Sequence, residues 1–195
     1  MRFISIAVSL FIVSASVGQA QVGTWTGAYG GITKAANSGT DVYSGGEFDG
    51  LSWDIDGQPF GVFAGYLWNR ENMIYGAETA VTLGKVYEEG QEEYFQFDRL
   101  VDMKARLGSI AGNALVYGTL GVSRARFNAF IGSEREVSTN AIGMVYGIGI
   151  EYKFAARYFI GAEYLRRSYS FYEAAQAADI AAKINSVTLR IGMQF

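Results

Sequence analysis

The sequence has no cysteine, no histidine and a single proline, Pro59, in 195 residues. Each absence removes a class of chemistry. Without cysteine there is no disulfide to brace a secreted domain, no thiol nucleophile and no thiolate metal ligand. Without histidine, the commonest general base and zinc ligand is missing as well. Charge is sparse, at 18% Asp, Glu, Lys and Arg. Beyond the first twenty residues no stretch of ~18 uncharged apolar residues occurs, so a helical membrane protein is excluded.

What is abundant points to strands. There are 25 glycines, and aromatic residues make up 15% of the chain. Glycine and aromatics with almost no proline favour pleated strands and tight turns over helices.

The N-terminus reads as a secretory signal. Arg2 supplies a positive start, Phe3 to Val17 an apolar core, and Gly18, Gln19 and Ala20 the small-residue end of a cleavage site. The apolar core is shorter than the ~18–20 residues of a spanning helix. Residues 1–20 are therefore expected to be a signal peptide and residues 21–195 one domain. A secreted chain without disulfides needs another source of stability, and a closed barrel in a bilayer supplies one.

Eight strands are expected: Trp25–Thr33, Gln58–Trp68, Met73–Gly84, Phe95–Gly108, Ala114–Phe127, Asn140–Phe154, Tyr158–Tyr172 and Ile184–Phe195. Their connections alternate. Asn69–Asn72, Ser109–Asn113 and Ala155–Arg157 are short, whereas Lys34–Gly57, Lys85–Tyr94, Asn128–Thr139 and Glu173–Lys183 are long. Short turns at one end and long loops at the other is the pattern of an antiparallel up-and-down transmembrane β-barrel, with its short turns in the periplasm.

Period-two alternation divides each strand into two faces. Met144, Tyr146, Ile148, Ile150, Tyr152 and Phe154 form an apolar face, and Gly143, Val145, Gly147, Gly149, Glu151 and Lys153 stand between them. Val187, Leu189, Ile191, Met193 and Phe195 likewise alternate with Thr188, Arg190, Gly192 and Gln194. The second face mixes glycine with charges of both signs: Glu78, Asp102, Lys104, Arg106, Glu151, Lys153, Glu163 and Arg190. Such charges facing lipid near mid-membrane would cost about 2–4 kcal/mol each, so they are expected inside, paired across a narrow lumen. Aromatics at the strand ends predict two girdles. Trp68, Tyr75, Phe154, Tyr158 and Phe195 lie by the short turns; Tyr87, Phe95, Phe97, Phe127, Phe171 and Tyr172 lie by the long loops.

These residues carry a family resemblance. Trp25–Gly31 reads WTGAYGG, Phe60–Trp68 FGVFAGYLW, Ile74–Glu78 IYGAE, Tyr117–Val122 YGTLGV and Thr188–Phe195 TLRIGMQF. The chain resembles the small outer-membrane β-barrel surface proteins of Gram-negative bacteria, the opacity-like and OmpA-like eight-stranded group. It is most similar to the alphaproteobacterial branch called "porin family" or surface antigens. The resemblance implies a bacterial outer-membrane location. It also implies that Leu189, Ile191, Met193 and Phe195 form the signal read by the barrel-assembly machinery. The lipopolysaccharide-modifying barrels of this size use a catalytic histidine with a serine, and no histidine is present here. The expectation is a non-enzymatic monomer with no cofactor, no metal centre and no nucleic-acid partner.

Two surface features remain. The long connections are strongly acidic, led by Asp41, Glu47, Asp49, Asp54 and Asp56 and by Glu88, Glu89, Glu92 and Glu93. Below them, Arg99, Arg124, Arg126 and Arg166 share the parity of the apolar face. Guanidinium groups at that height suit the phosphates of lipopolysaccharide, though interface snorkelling would place them there too. The expected role is structural and surface-interacting: envelope integrity, acidic surface loops and contact with outer-membrane lipid. A small or intermittent channel is the alternative, and an adhesin a third reading.

Overall fold

The computed structural model describes residues 25–45, 49–88, 95–131, 134–173 and 178–195. The signal-peptide expectation for residues 1–20 lies outside them. Among the described residues nine strands follow one another: β1 (Gly27–Ser44), β2 (Ser52–Gly57), β3 (Phe60–Arg70), β4 (Met73–Glu88), β5 (Phe95–Ala111), β6 (Ala114–Ile131), β7 (Glu134–Lys153), β8 (Tyr158–Glu173) and β9 (Ala178–Gln194). Every pairing is antiparallel: β1 pairs with β2 and β3, β2 with β4, each strand from β3 to β8 with the next, and β1 with β9 from Tyr29↔Gln194 to Ser44↔Asp179, which closes the sheet. Closure satisfies every strand edge internally, as a structure spanning lipid requires.

The barrel has eight staves, because β2 and β3 make one. β3 covers the lower half of β1, and β2 covers the upper half. Pro59 lies in the break between them. It has no N–H to give to a ladder, and its carbonyl accepts the Ala35 N–H at 3.0 Å. On the neighbouring stave the ladder slips between Leu83 and Val86, and Gly84 takes a φ of +122° beside Pro59. The kink in one stave is thus matched by a bulge in the next.

Register fixes the shape. A path perpendicular to the strands runs Tyr29, Gly65, Glu78, Lys104, Gly121, Val145, Arg167, Ile184 and returns to β1 at Gly39. The displacement, 39 − 29, is ten residues. With ~3.3 Å per residue and ~4.8 Å between strands, that shear tilts the staves by about 40° and gives a backbone radius of roughly 8 Å.

Among the described residues, the four connections read as long loops from sequence are mostly strand. β1 continues to Ser44, β4 to Glu88 and β6 to Ile131, and β9 begins at Ala178. The reason is physical. Above the lipid both faces of a strand are polar, so the apolar alternation that marks a strand fades while the ladder continues. Asp41, counted among the loop carboxylates, points inward and is fully buried. Asp54 and Asp56 belong to β2. The opposite end is tight. Arg70 pairs with Met73 around Glu71 at φ +59°, and Ala111 with Ala114 around Gly112 at φ +60°, the left-handed backbone that two-residue hairpins demand.

The outer wall is apolar. Ile32, Met103, Leu120, Ile142, Ile148 and Leu189 are all more than half exposed, and the surface they present belongs to lipid. At the short-turn end Trp68 stacks on Tyr75 with centroids 5.7 Å apart, and Phe154 on Tyr158 at 6.3 Å. The aromatics expected at the other end, Tyr87, Phe95, Phe97, Phe127, Phe171 and Tyr172, fall on the upper ends of β4, β5, β6 and β8.

Candidate functional site

The interior is layered. Trp25, Tyr29, Phe63, Leu67, Ile74, Leu115, Tyr117 and Phe159 fill the periplasmic end. Tyr43, Ile55, Val86, Leu100, Tyr169, Ile180 and Ile184 fill the upper end. Between these apolar plugs lies an ionic layer.

Glu78 is its hub. Its carboxylate meets Lys104 Nζ at 3.0 Å, Arg106 Nη1 at 3.2 Å and Arg190 Nη2 at 2.5 Å. Tyr29 Oη donates to Glu78 Oε2 and accepts from Arg106 Nη1, each at 2.9 Å. Glu163 binds Lys104 and Arg190 at 3.0 and 2.9 Å, and Glu151 binds Arg106 and Arg190 at 2.9 and 3.1 Å. Tyr117 Oη donates to Glu163, and the Arg106 guanidinium lies over the Tyr117 ring, 3.6 Å from its centre. Three carboxylates thus face three cations. A second tier holds Asp102, clasped by Arg167 at 3.1 and 2.6 Å and by Ser123 at 2.5 Å. Arg167 also donates to Ser186, which donates to Asn37. Lys153 sits apart near the periplasmic end, donating to Gln194, 4.8 Å from the centre of the Trp25 ring.

Glycine makes room for this layer. A Cβ on Gly149 would stand 2.3 Å from Cζ of the Tyr117 ring, and one on Gly65 would stand 2.5 Å from the Tyr29 hydroxyl. Both tyrosines reach their carboxylates across these bare stretches of neighbouring strand. Within the layer the cavity between Thr33, Asp102, Lys104, Glu163, Arg167 and Arg190 is about 20 Å³. That is space for a single water, not a path for solutes.

Sequence reasoning did not pick out Arg167, Tyr29 or Tyr117. Arg167 had a signal, since it shares inward parity with Glu163 and Tyr169. The tyrosines had none, because an inward tyrosine looks like filler until its partner across the lumen is known.

A second cluster lies on the outer wall. Arg99 on β5 is the direct cross-strand partner of Arg126 on β6, and Arg124 stands two residues along, opposite Val101. With Val101 and Asn140 these three exposed arginines line a recess of about 370 Å³. Arg126 Nε donates to Ser138 at 2.9 Å. None of the eight ion pairs found among the described residues includes Arg99, Arg124 or Arg126. Like charges directly opposite each other destabilise a sheet. Among the described residues every ion pair is inside the barrel, and Arg99 and Arg126 on the outer wall face one another. Arg166 is not part of this recess. It pairs with Tyr146, whereas Arg124 pairs with Ile142, four residues along β7, or roughly 13 Å.

Leu189, Ile191, Met193 and Phe195 follow one another down the lipid-facing side of the last stave. The Phe195 N–H donates to the Ala28 carbonyl at 2.9 Å. Among the described residues no group of three Asp or Glu side chains is placed to hold a metal ion.

The architecture has known counterparts. The attachment invasion locus protein Ail of Yersinia pestis is 17% identical, with a TM-score of 0.51 over 87% of this chain and 99% of that one. Neisserial surface protein A is 13% identical, with a TM-score of 0.53 over 87% and 99%. The outer membrane protein AlkL is 8% identical, with a TM-score of 0.54 over 94% and 97%. These likenesses are of fold. No curated protein sequence matches the chain. The family model described as the outer membrane protein beta-barrel domain matches residues 4–195, and the chain belongs to that family of bacterial outer-membrane β-barrels.

Proposed function

We propose that this protein is a non-enzymatic structural barrel that anchors lipopolysaccharide at its outer wall and contributes to envelope integrity. The observation that carries the reading is the trio Arg99, Arg124 and Arg126, which faces outward at the top of the apolar wall without a carboxylate partner among the described residues. Guanidinium groups recognise phosphate through paired hydrogen bonds, and an anion between Arg99 and Arg126 relieves their mutual repulsion. The apolar wall below, with Val101, Met103 and Val122, suits the acyl chains of the same molecule.

The interior supports a structural role over a catalytic or conducting one. Glu78, Glu151, Glu163 and Asp102 are all held by cations, so none stands ready as an acid or base. The ionic layer and the plugs on either side of it occupy the width of the lumen, which weighs against a standing diffusion pore. Insertion through Leu189, Ile191, Met193 and Phe195, read by the assembly machinery, belongs to the same proposal.

The test is the lipopolysaccharide that copurifies with the protein from outer membranes. Replacing Arg99, Arg124 and Arg126 together by Gln lowers it, while the heat-dependent gel shift of a folded barrel is retained. Unchanged copurification refutes the role of these residues.

A further inference from the structure

The lipid-facing wall is not uniformly convex. A groove of about 910 Å³ crosses it, with Trp68 and Tyr75 at one end and Tyr146 and Tyr164 at the other. Two outward-facing rows line it: one runs Tyr75, Leu107, Gly118, Ile148 and Tyr164, and the other begins at Ala77. Ala77 pairs with Ala105, Ala105 with Leu120, Leu120 with Tyr146, and Tyr146 with Arg166. Ala77, Ala105 and Gly118 leave the depression, and the second row continues past Tyr146, out of the groove, to Arg166. Four strand spacings of ~4.8 Å make it about 19 Å long, comparable to the ~15 Å of hydrocarbon in one leaflet.

Arg166 is the second observation. It is half-buried, shares the outward face with Tyr164, and lies beside Asn185, which accepts from Tyr164 Oη at 3.1 Å. No ion pair among the described residues reaches it. An unpaired guanidinium beside lipid is costly unless an anion meets it or it reaches the interface. An apolar groove on the lipid-facing wall, with a cation on the strand next to its Tyr146 end, fits a molecule with an acyl chain and an anionic head.

We infer that Arg166 and this groove form a second contact for the glycolipid held at the Arg99–Arg124–Arg126 recess: the groove takes an acyl chain and Arg166 a second phosphate. The inference rests on the proposed lipopolysaccharide reading. The ligand it specifies is a glycolipid with two phosphates and several acyl chains, engaged at two cationic points whose rows are roughly 13 Å apart along β7.

The full-length barrel, folded in nanodiscs of neutral phosphatidylcholine, is titrated with bisphosphoryl lipid A, monophosphoryl lipid A and phosphatidylglycerol. Ala105→Trp fills the groove from outside without touching the lumen, and Arg166→Gln removes the cation. Each lowers affinity for bisphosphoryl lipid A at least fivefold, and Arg166→Gln narrows the preference over the monophosphoryl form. Wild-type affinity in both variants overturns the inference, as does phosphatidylglycerol binding equal to that of lipid A. The Arg99/Arg124/Arg126→Gln variant separates the two claims. If it alone loses lipid A, the recess stands and the groove falls; if only the groove variants lose it, the groove stands and the recess falls. The heat-dependent gel shift checks that each variant is folded.

Discussion

Removing one carboxylate from the ionic layer leaves a charge that nothing inside the barrel can neutralise. Glu78 is the strongest case, because it touches Lys104, Arg106 and Arg190 within 3.2 Å and has essentially no exposure. Glu78, Glu151 and Glu163 balance Lys104, Arg106 and Arg190, three against three, so Glu78→Gln leaves the layer at +1 with its shape intact. Breaking a buried pair in this way costs about 3–5 kcal/mol. With a urea slope of about 2 kcal/mol/M, the unfolding midpoint in liposomes falls by about 2 M. Neutralising a cation as well restores the balance. Glu78→Gln with Lys104→Gln therefore recovers at least half of the loss, and a double-mutant cycle reads the coupling. A Glu78→Gln cost below ~1 kcal/mol, or a double variant as unstable as the sum of the singles, refutes the view that charge balance holds the layer together.

Other outcomes follow from the same packing. Gly149→Ala drives a methyl into the Tyr117 ring and costs about 1–3 kcal/mol, and it costs less in a Tyr117→Leu background, read by the same urea titration. In planar bilayers the wild-type barrel shows no steady conductance, since the ionic layer leaves only about 20 Å³ of cavity there; a sustained open level would contradict the plugged lumen. Deleting Phe195 slows folding into liposomes carrying the assembly machinery and leaves the stability of the folded barrel within about 1 kcal/mol, because its side chain is 71% exposed on the outer wall.

The sequence shows the two faces of this barrel more clearly than their extent. Alternation such as Met144, Tyr146, Ile148 and Ile150 against Gly143, Gly147 and Gly149 depends only on the pleat, so it is legible in one dimension. Strand ends are less so. β1 continues through Asn37, Ser38, Thr40 and Asp41, where polar residues stand on both faces and parity has no apolar marker. The fusion of β2 and β3 into one stave depends on pairing to β1 across the hairpin, which Pro59 hides by breaking the run. Which charges meet depends on the shear. Asp102 and Arg167 lie far apart in sequence, and only a ten-residue displacement around the barrel brings them together. Register also separates Arg166 from Arg99, Arg124 and Arg126, by at least four residues along β7, although all four share one parity.

The most direct test of the proposed role is the affinity of the folded wild-type barrel for lipopolysaccharide before and after enzymatic removal of its lipid A phosphates. Recognition by the outer arginines predicts that dephosphorylation weakens binding at least tenfold, and that raising salt weakens binding of the phosphorylated form alone. Equal affinity for the two forms would contradict the account.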